Sequence, residues 1–435
     1  MSSKQSEPST STNITLQIED ELSRQTINRS LWRHGDFMKF WLGETVSLFG
    51  TQVSLLALPL TAVLVLNVNA EQLGVLRFLE TFPYALFPLL FGVWVDRVQK
   101  RPLMIVANAA RAVLIGLLPC LAFWHELALP PLYGIAFCVG IFTVLFDVCW
   151  QSFLPVVVSQ ARLIEANGKV ATSSAAAEVG GPGLAGLLIQ VFTAPIALFA
   201  DSLSYVVSVV SLLLIRQKEA QPQRNDKKHL WHDIAEGLRF ASGNPSLRTL
   251  AVQAAGWNFC FLLVETIFLI YAPRVLGFSP GLLGLVYAVG AIGGLLGAGI
   301  ASSLARHFRL GWLLCGTFTL GTVPMLLIPL ATGPLAPVIC GAALFLIRTA
   351  LGIWFVLTTT LRQSITPPHL LGRVSASLRL IAYSGSTIGA LVAGYLSSVI
   401  GLRAGLWVGS IGFIITLLPI FFSPLPRLHT MPDKP

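Results

Sequence analysis

The sequence is short of charged side chains. Only 11% of its 435 residues are Asp, Glu, Lys or Arg, whereas soluble domains contain roughly 25%. So few charges cannot cover a water-facing surface, and they exclude a mostly disordered chain because disordered segments are polar and charged. Hydrophobic residues make up 54% of the chain, which is typical of a polytopic membrane protein.

Patterns that would indicate bound cofactors or metals are also lacking. The six cysteines form no C-x-x-C pair, so they indicate neither a disulfide framework nor a zinc site. Gly168-Lys169 is followed by Val170, so no ATP-binding loop is present. The string from Gly181 to Gly186 matches G-x-G-x-x-G, but both flanks are apolar, which excludes a dinucleotide site. We therefore expect no cofactor and no metal.

Twelve apolar segments are each long enough to cross a bilayer, which takes about 20 residues. They predict an all-α integral membrane protein. The segments lie at about 38–66, 72–95, 103–124, 131–155, 170–191, 194–215, 248–271, 281–304, 311–331, 335–360, 375–399 and 402–422.

Polar stretches divide these spans into two bundles. The linker between the bundles has an amphipathic second part, with Trp231, Ile234 and Leu238 on one face, which predicts a helix on the membrane surface that ends at Asn244-Pro245. We expect a disordered cytoplasmic tail at 1–36, a six-helix bundle at 37–215, a cytoplasmic linker at 216–247, a second six-helix bundle at 248–422 and a cytoplasmic tail at 423–435.

The basic residues predict the orientation of the chain. Of 29 Lys and Arg residues, Arg77, Arg274 and Arg403 fall on the outer side, and Arg111 and Arg348 fall inside spans. The remaining 24 share the side of the N-terminus, so both termini are predicted to be cytoplasmic, in the inner (plasma) membrane. This asymmetry accounts for the net charge of +9 without a nucleic-acid partner.

The two halves of the chain are internal repeats. A shift of 208 residues places Gly181 on Gly389, Gly186 on Gly394 and Ser202 on Ser410. The halves therefore repeat in parallel with six spans each. Parallel repeats of this kind are a recurring transporter design, with the binding site between the halves near the midplane.

The loop after the second span carries a pattern specific to one family. It reads Gly-Val-Trp-Val-Asp-Arg-Val-Gln-Lys-Arg and resembles the G-x-x-x-D-R-x-G-R-R signature of the major facilitator superfamily, with Gln99 where glycine is usual. The residues that match are Gly92, Asp96, Arg97, Lys100 and Arg101. This charge cluster could be a latch that ties neighbouring helices together in one transport state, or a basic anchor that only holds topology. We favour the latch, because a lone aspartate would add nothing to an anchor.

Further strings narrow the resemblance. Gly181, Pro182 and Gly186 lie in a segment similar to the span-five motif of proton-coupled exporters. The strings at 146–152 and 371–374 are similar to the drug:proton antiporter branch that includes macrolide-efflux and enterobactin-export proteins. The resemblance covers the chain after residue 30. It implies the major facilitator fold, a lipid bilayer, a small-molecule substrate and protons as partners, and we expect a monomer.

Six carboxylates fall within spans, where a charge costs roughly 2.5–3.5 kcal/mol at the helix centre. Most must therefore be paired, protonated or hydrated. Depth predicts the pairs Arg111–Asp147 and Arg348–Glu265, and the spacing of three residues on span two predicts the pair Arg77–Glu80. We favour a structural lock for the first pair, whereas the second could equally serve coupling or substrate binding. The six are Glu44, Glu80, Asp147, Glu178, Asp201 and Glu265.

Four of these carboxylates are predicted proton-coupling sites, namely Glu44, Glu178, Glu265 and Asp147. Glu44 and Glu178 have no evident partner in the sequence. Burial favours the protonated form of a carboxylate, and a proton-coupled carrier needs a group that changes protonation during its cycle.

Aromatic residues of spans one, seven and ten could line a pocket for amphiphiles, or they could simply pack against neighbours and lipid. They are Phe49, Trp257, Phe261 and Trp354. We predict a secondary transporter that exports small amphiphilic molecules, such as a drug, macrolide or siderophore-like compound, by proton antiport with alternating access. The alternatives are a proton-symport importer or a lipid flippase on the same fold, followed by a membrane sensor or enzyme.

Overall fold

The computed structural model describes residues 31–217, 219, 230–367 and 369–428, among which there is no strand. Twelve helices in this part of the chain are long and apolar enough to cross a bilayer, so the predicted all-α fold with twelve spans is confirmed. They are α1 Gly35–Leu64, α2 Ala70–Val95, α3 Lys100–Phe123, α4 Leu129–Val157, α5 Leu163–Phe192, α6 Ala194–Leu214, α7 Pro245–Arg274, α8 Pro280–His307, α9 Leu310–Leu330, α10 Ala336–Ile365, α11 Leu371–Ile400 and α12 Leu402–Phe421.

Two of the helices are irregular near one end. Helix α9 is regular over Leu310–Thr322 and then tightens into a 3-10 turn at Val323–Leu326, where Pro324 cannot donate a backbone hydrogen bond. Helix α12 is regular over Leu402–Ile415 and ends in a separate turn, Leu418–Phe421.

Capping residues that are visible in the sequence fix several helix starts. Asn69 and Gln72 bond each other's backbone N–H groups at 2.8 and 2.9 Å, which forms a capping box at the start of α2. The Asn244 side chain accepts from the backbone of Ser246 and Leu247, and Pro245 opens α7. Helix α7 therefore begins three residues before the predicted second bundle.

The helix bundle has two ends, a basic end and a distal end. The basic end is where α1 and α3 begin, at Gly35 and Lys100, and it is the end predicted to face the cytoplasm. The distal end is where α1 ends and α2 begins, at Leu64 and Ala70. Residues 1–30 of the predicted first tail and 429–435 of the second lie outside the described residues.

The two halves pack in the same way. In the first half, α1 packs on α5 and α6, α2 on α4, and α3 on α4 and α6. The second half repeats this arrangement, with α7 on α11 and α12, α8 on α10, and α9 on α10. The halves meet through α2 with α11 and α5 with α8, so the chain consists of two parallel six-helix repeats.

Paired glycines let the halves approach closely near the distal end. A Cβ atom on Gly74 of α2 would lie 2.8 Å from the Cα atom of Gly394 of α11. A Cβ atom on Gly186 of α5 would lie 2.9 Å from the Cα atom of Gly284 of α8. Only hydrogen side chains permit such backbone contact. Gly186 repeats as Gly394 at a shift of 208 residues, and Gly74 aligns with Gly284 at a shift of 210 residues, so the internal repeat supplies both crossings.

The predicted linker helix spans Leu230–Gly243 and ends just before Asn244-Pro245, as the sequence predicted. It packs against α11, because Gly237 lies over the backbone of Arg373 and the Glu236 carboxylate bonds the Arg373 guanidinium. The side chains of Trp231 and Ile234 lie outside the described residues. The linker helix is thus attached to the second half.

Candidate functional site

A pocket of about 220 Å³ lies between the halves, on the distal side of the middle of the helices. Its walls come from α1 and α5 of the first half and from α7, α8 and α10 of the second half. The polar lining consists of Gln52, Glu178, Glu265, Tyr287 and Arg348. Three of these were predicted site residues, and the pocket lies between the two halves, where the binding site of the fold is expected.

Arg348 of α10 pairs with Glu178 of α5 across the two halves. Its Nη1 lies 3.7 Å from the Glu178 carboxylate, and the Glu178 side chain is 57% exposed. The predicted Arg348–Glu265 pair is therefore wrong. Depth along the spans placed the two residues at a similar level, but α10 of the structure presents Arg348 to α5 of the other half.

Glu265 finds its partner in the first half instead. Arg77 of α2 donates to the Glu265 carboxylate at 3.1 Å and to Glu80 at 2.8 Å. The predicted Arg77–Glu80 pair is confirmed, but Arg77 also joins α2 to α7. The Arg77 side chain is only 8% exposed, so this cluster is more closely bonded and more buried than the Arg348–Glu178 pair.

Arg111 belongs to a buried network inside the first half. It donates to the Asn108 side chain at 3.0 Å and to the Tyr205 hydroxyl at 2.6 Å, and its guanidinium lies 3.9 Å from the Tyr205 ring centroid. The predicted direct pair with Asp147 is wrong, because α3 packs on α6 as well as α4 and Tyr205 offers both a hydroxyl and an aromatic face. Asp147 remains an electrostatic neighbour of Arg111.

Asp201 completes this network from α6. Its carboxylate accepts a hydrogen bond from Ser54 of α1 and a second from Ser204 at 3.1 Å. Thr51 of α1 and Tyr205 share a hydrogen bond of 3.2 Å. Asp201 is fully buried, so the network fixes α1, α3 and α6 relative to one another.

Glu44 and Asp147 lie toward the basic end and within electrostatic range of each other. The Glu44 Oε2 atom is buried and has no hydrogen-bond partner among the described residues. Asp147 is accessible to solvent although it lies deep within α4. Its electrostatic neighbours include Arg379 of α11, so the Asp147 side chain faces the space between the halves. Sequence reasoning missed Arg379 because it counted this residue with the basic helix ends.

The family-specific loop makes contacts that the sequence did not indicate. The backbone N–H groups of Lys100 and Arg101 donate to the Glu219 carboxylate at 2.8 and 3.2 Å, and Lys100 Nζ lies 3.5 Å from it. The Arg101 guanidinium donates to the carbonyl oxygens of Leu212 and Leu213. Lys100 and Arg101 therefore tie α3 to the end of α6 and the start of the linker. Asp96, Arg97 and Gly92 lie at the end of α2 beside them.

The predicted aromatic residues are divided between the cavity and the helix packing. Phe261 lies 5.5 Å from the Arg348 guanidinium, next to the pocket. Trp257 stacks on Phe261, and both Trp257 and Trp354 are buried within the second half. Phe49 lies where α1 passes Gly180 of α5. In the span-five motif, Gly181 accommodates the Gln52 side chain and Pro182 lines the pocket.

The sequence as a whole has recognisable relatives. A family model described as Major Facilitator Superfamily matches residues 40–390. The chain belongs to this superfamily. Its members are transporters, so the chain is a multi-pass membrane transporter of small molecules and not an enzyme.

The relatives found for this chain share little sequence identity with it. The multidrug efflux pump Tap of Mycolicibacterium fortuitum is 25% identical over 89% of this chain and 95% of its own. Macrolide efflux protein A of Streptococcus pyogenes is 22% identical over 84% of this chain and 90% of its own.

Solved structures share the fold with little sequence identity. The nucleoside transporter NupG superposes with a TM-score of 0.72 at 8% identity, covering 89% of this chain and 98% of its own. A bacterial homologue of the lysosomal transporter Spinster gives a TM-score of 0.72 at 14% identity, covering 92% and 98%.

Proposed function

We propose that this transporter exports small amphiphilic molecules by proton antiport, with its two six-helix halves rocking between inward- and outward-open states. The observation that carries the proposal is the pair of ionic contacts that bridge the halves beside the central pocket, Arg348–Glu178 and Arg77–Glu265. Relatives named as multidrug and macrolide efflux proteins favour export and this class of substrate.

The bridging pairs supply a physical link between protonation and conformation. Both pairs join the halves in the state in which the distal end is closed by the glycine crossings. Protonation of a bridging carboxylate removes its negative charge and weakens its attraction for arginine. Protonation therefore favours separation of the halves at the distal end, and release of the proton restores the pair.

Glu44 is a further proton-binding site of this proposal, outside the bridging pairs. Its buried oxygen has no hydrogen-bond partner among the described residues, and a buried carboxylate without a partner favours the protonated form. Asp147, exposed to the space between the halves, offers a neighbouring group for proton transfer. We assign the proton-coupling role to Glu44, Glu178, Glu265 and Asp147 as a set.

The orientation of the chain follows from its basic residues. We propose that the basic end faces the cytoplasm, with both termini on that side of the plasma membrane, and that a monomer of two bundles and a linker is the working unit. The family-specific cluster around Asp96 then lies at the cytoplasmic rim as a latch. One charge crossing 100 mV yields about 2.3 kcal/mol, which supports a roughly fiftyfold substrate gradient.

Substrate-driven proton movement in reconstituted vesicles tests the proposal. Glu44→Gln, Glu178→Gln, Glu265→Gln and Asp147→Asn are each compared with the unmodified chain. We expect substrate addition to drive proton movement in the unmodified chain and at least one of these variants to transport without coupling. Glu71→Gln is the matched control, because Glu71 is exposed at the distal start of α2, and it should couple normally.

Three outcomes would count against the proposal. Coupling that survives in all four variants would overturn the assignment of the proton sites. Substrate and protons moving in the same direction would indicate an importer. Movement of fluorescent phospholipid between leaflets, without transport of soluble amphiphiles, would indicate a flippase.

A further inference from the structure

The two bridging ion pairs differ in a way that concerns the substrate. Arg77 makes hydrogen bonds of 2.8 and 3.1 Å to two carboxylates and is almost fully buried. Arg348 makes no hydrogen bond to Glu178 at its distance of 3.7 Å, and the two side chains are 32% and 57% exposed. Exposed ion pairs of this kind contribute little free energy, so Arg348 is easily displaced from Glu178.

A second group in the same pocket lacks a partner. The Tyr287 hydroxyl is buried and makes no hydrogen bond within the described residues, and Tyr287 lines the pocket together with Glu178. A buried hydroxyl without a partner is costly. Its position in a pocket wall indicates that a ligand supplies the missing hydrogen bond.

We propose that the pocket binds a cationic nitrogen group with N–H donors, carried by an amphiphilic substrate, which replaces Arg348 at Glu178. The inference rests on the proposed export function and specifies its substrate. Arg348 acts as a tethered competitor: its guanidinium occupies the carboxylate and lies over the Phe261 ring when substrate is absent. The incoming cation takes the carboxylate and bonds the Tyr287 hydroxyl.

The size of the pocket defines the part of the substrate that it holds. At about 220 Å³ it is smaller than the 300–1,000 Å³ typical of pockets for drug-sized ligands. It therefore holds the charged head and an adjoining small apolar group, against Leu55, Leu56 and Leu269. The remainder of a larger substrate extends into the space between the halves toward Asp147.

Equilibrium binding to the purified full-length chain in detergent tests the proposal without any ion gradient. Three probes share one phenylethyl body: phenylethylguanidinium, phenylethyltrimethylammonium and the neutral, isosteric phenylethylurea. Isothermal titration calorimetry should show the guanidinium bound about tenfold more tightly than the urea, because its charged N–H groups can hydrogen-bond the Glu178 carboxylate, which Arg348 at 3.7 Å does not do. The trimethylammonium probe has no N–H donor and should also bind more weakly.

Variants of the Arg348–Glu178 pair show whether the probe displaces Arg348 or is only attracted to Glu178. Arg348→Gln removes the competitor and should tighten binding of the guanidinium roughly two- to fivefold, given the small free energy of exposed pairs. Glu178→Gln should abolish the preference for the guanidinium over the urea. Glu165→Gln is the matched control, because Glu165 lies on the same helix in a loose ion pair with Lys169, 3.8 Å apart, away from the pocket.

The outcomes distinguish this inference from the proposed function. Equal binding of guanidinium and urea, weaker binding by Arg348→Gln, or an unchanged preference in Glu178→Gln would each overturn it, provided that gel filtration shows a folded protein. The probe series on the unmodified chain keeps the test valid if a variant fails to fold. Because binding is measured without protons moving, a failure of proton antiport would leave the cation preference intact.

Discussion

The two halves of the transporter share a backbone arrangement but differ in how their first and last helices are held together. In the first half, α1 and α6 meet through polar groups, with Ser54 bonded to Asp201 and Thr51 to Tyr205. In the second half, the equivalent contact of α7 with α12 is apolar. Gly409 lies against Leu263 and Val264, and Phe413 packs edge-on against Trp257.

The repeat aligns these contrasting residues. Asp201 and Gly409 are 208 residues apart, as are Tyr205 and Phe413. The second half therefore has the phenyl ring of Phe413 where the first has the phenol of Tyr205. It has the hydrogen atom of Gly409, which allows close packing, where the first has the carboxylate of Asp201. The two helices therefore cross in both halves, although polar and charged groups line the crossing of the first half and apolar groups line that of the second.

The two halves also differ in which residues adopt positive φ angles at the turns of the distal end. Asn67, His125 and Thr193 have positive φ angles in the first half. At the corresponding turns of the second half stand Gly277, Gly333 and Gly401, also with positive φ. A Cβ atom at any of these three glycines would meet nothing within 4 Å. Backbone conformation alone therefore explains the glycines, and the first half retains strain that the second half avoids.

The largest effect, a loss of transport, is expected at the two glycine crossings, where the halves are equivalent. Gly74→Leu and Gly186→Leu should each abolish transport, because a side chain at either crossing prevents the distal end from closing. Transport assays in vesicles and accessibility of distal residues to a soluble thiol reagent measure the change. Gly134→Leu is the control, since nothing lies within 4 Å of a Cβ atom there. Normal transport by either crossing variant would contradict the prediction.

The next largest effect, a loss of folding stability, is expected in the polar network of the first half. Asp201→Ala removes the acceptor of the Ser54 and Ser204 hydroxyls and one of the negative charges near the buried Arg111, and it should lower stability by roughly 1–3 kcal/mol. Thermal unfolding in detergent measures the loss. The double variant Asp201→Ala with Arg111→Met should recover much of it, because removing both charges leaves an apolar contact like that of the second half. No recovery would show that the contrast between the halves is not one of charge.

A gain in stability is expected at the turn between α5 and α6. Thr193 has φ 102° and ψ 157°, close to the φ 86° and ψ 160° of Gly401 between α11 and α12. This region is essentially restricted to glycine. Thr193→Gly should therefore raise stability by about 1–2 kcal/mol after allowance for the greater chain entropy of glycine, and Gly401→Thr should lower it by a similar amount. Unfolding temperatures of the two variants check the reciprocal pair.

The smallest effects are expected at the other two turns. His125 has φ 61°, a left-handed conformation that raises the conformational energy of a residue with a Cβ atom. His125→Gly should therefore stabilise the fold by roughly 0.5–1 kcal/mol. Asn67 has φ 51°, and asparagine tolerates this region, so Asn67→Gly should change stability by less than about 0.5 kcal/mol. An equal response at all three turns would show that side-chain contacts, not backbone strain, set the difference between the halves.

Much of the fold follows from the sequence because the bilayer limits the choices. Every backbone polar group in lipid must be bonded within its own segment, so long apolar stretches become helices. The Asn69–Gln72 box and Asn244-Pro245 mark where helices begin. The glycine repeat, Gly186 with Gly394, was also visible in the sequence, although the sequence did not show that each glycine faces a glycine of the other half.

The tertiary structure alone decided which charges meet. Counting residues along a span gives the depth of a side chain but not the direction in which it points. At nearly equal depth Arg348 could face Glu265 or Glu178, and the contact of α10 with the pocket brings it to Glu178. In the same way Arg77 reaches across to Glu265, and Arg111 turns to Tyr205. The sequence therefore determined twelve helices, their repeat and their family, whereas the rotation and packing of those helices determined every ion pair at the centre.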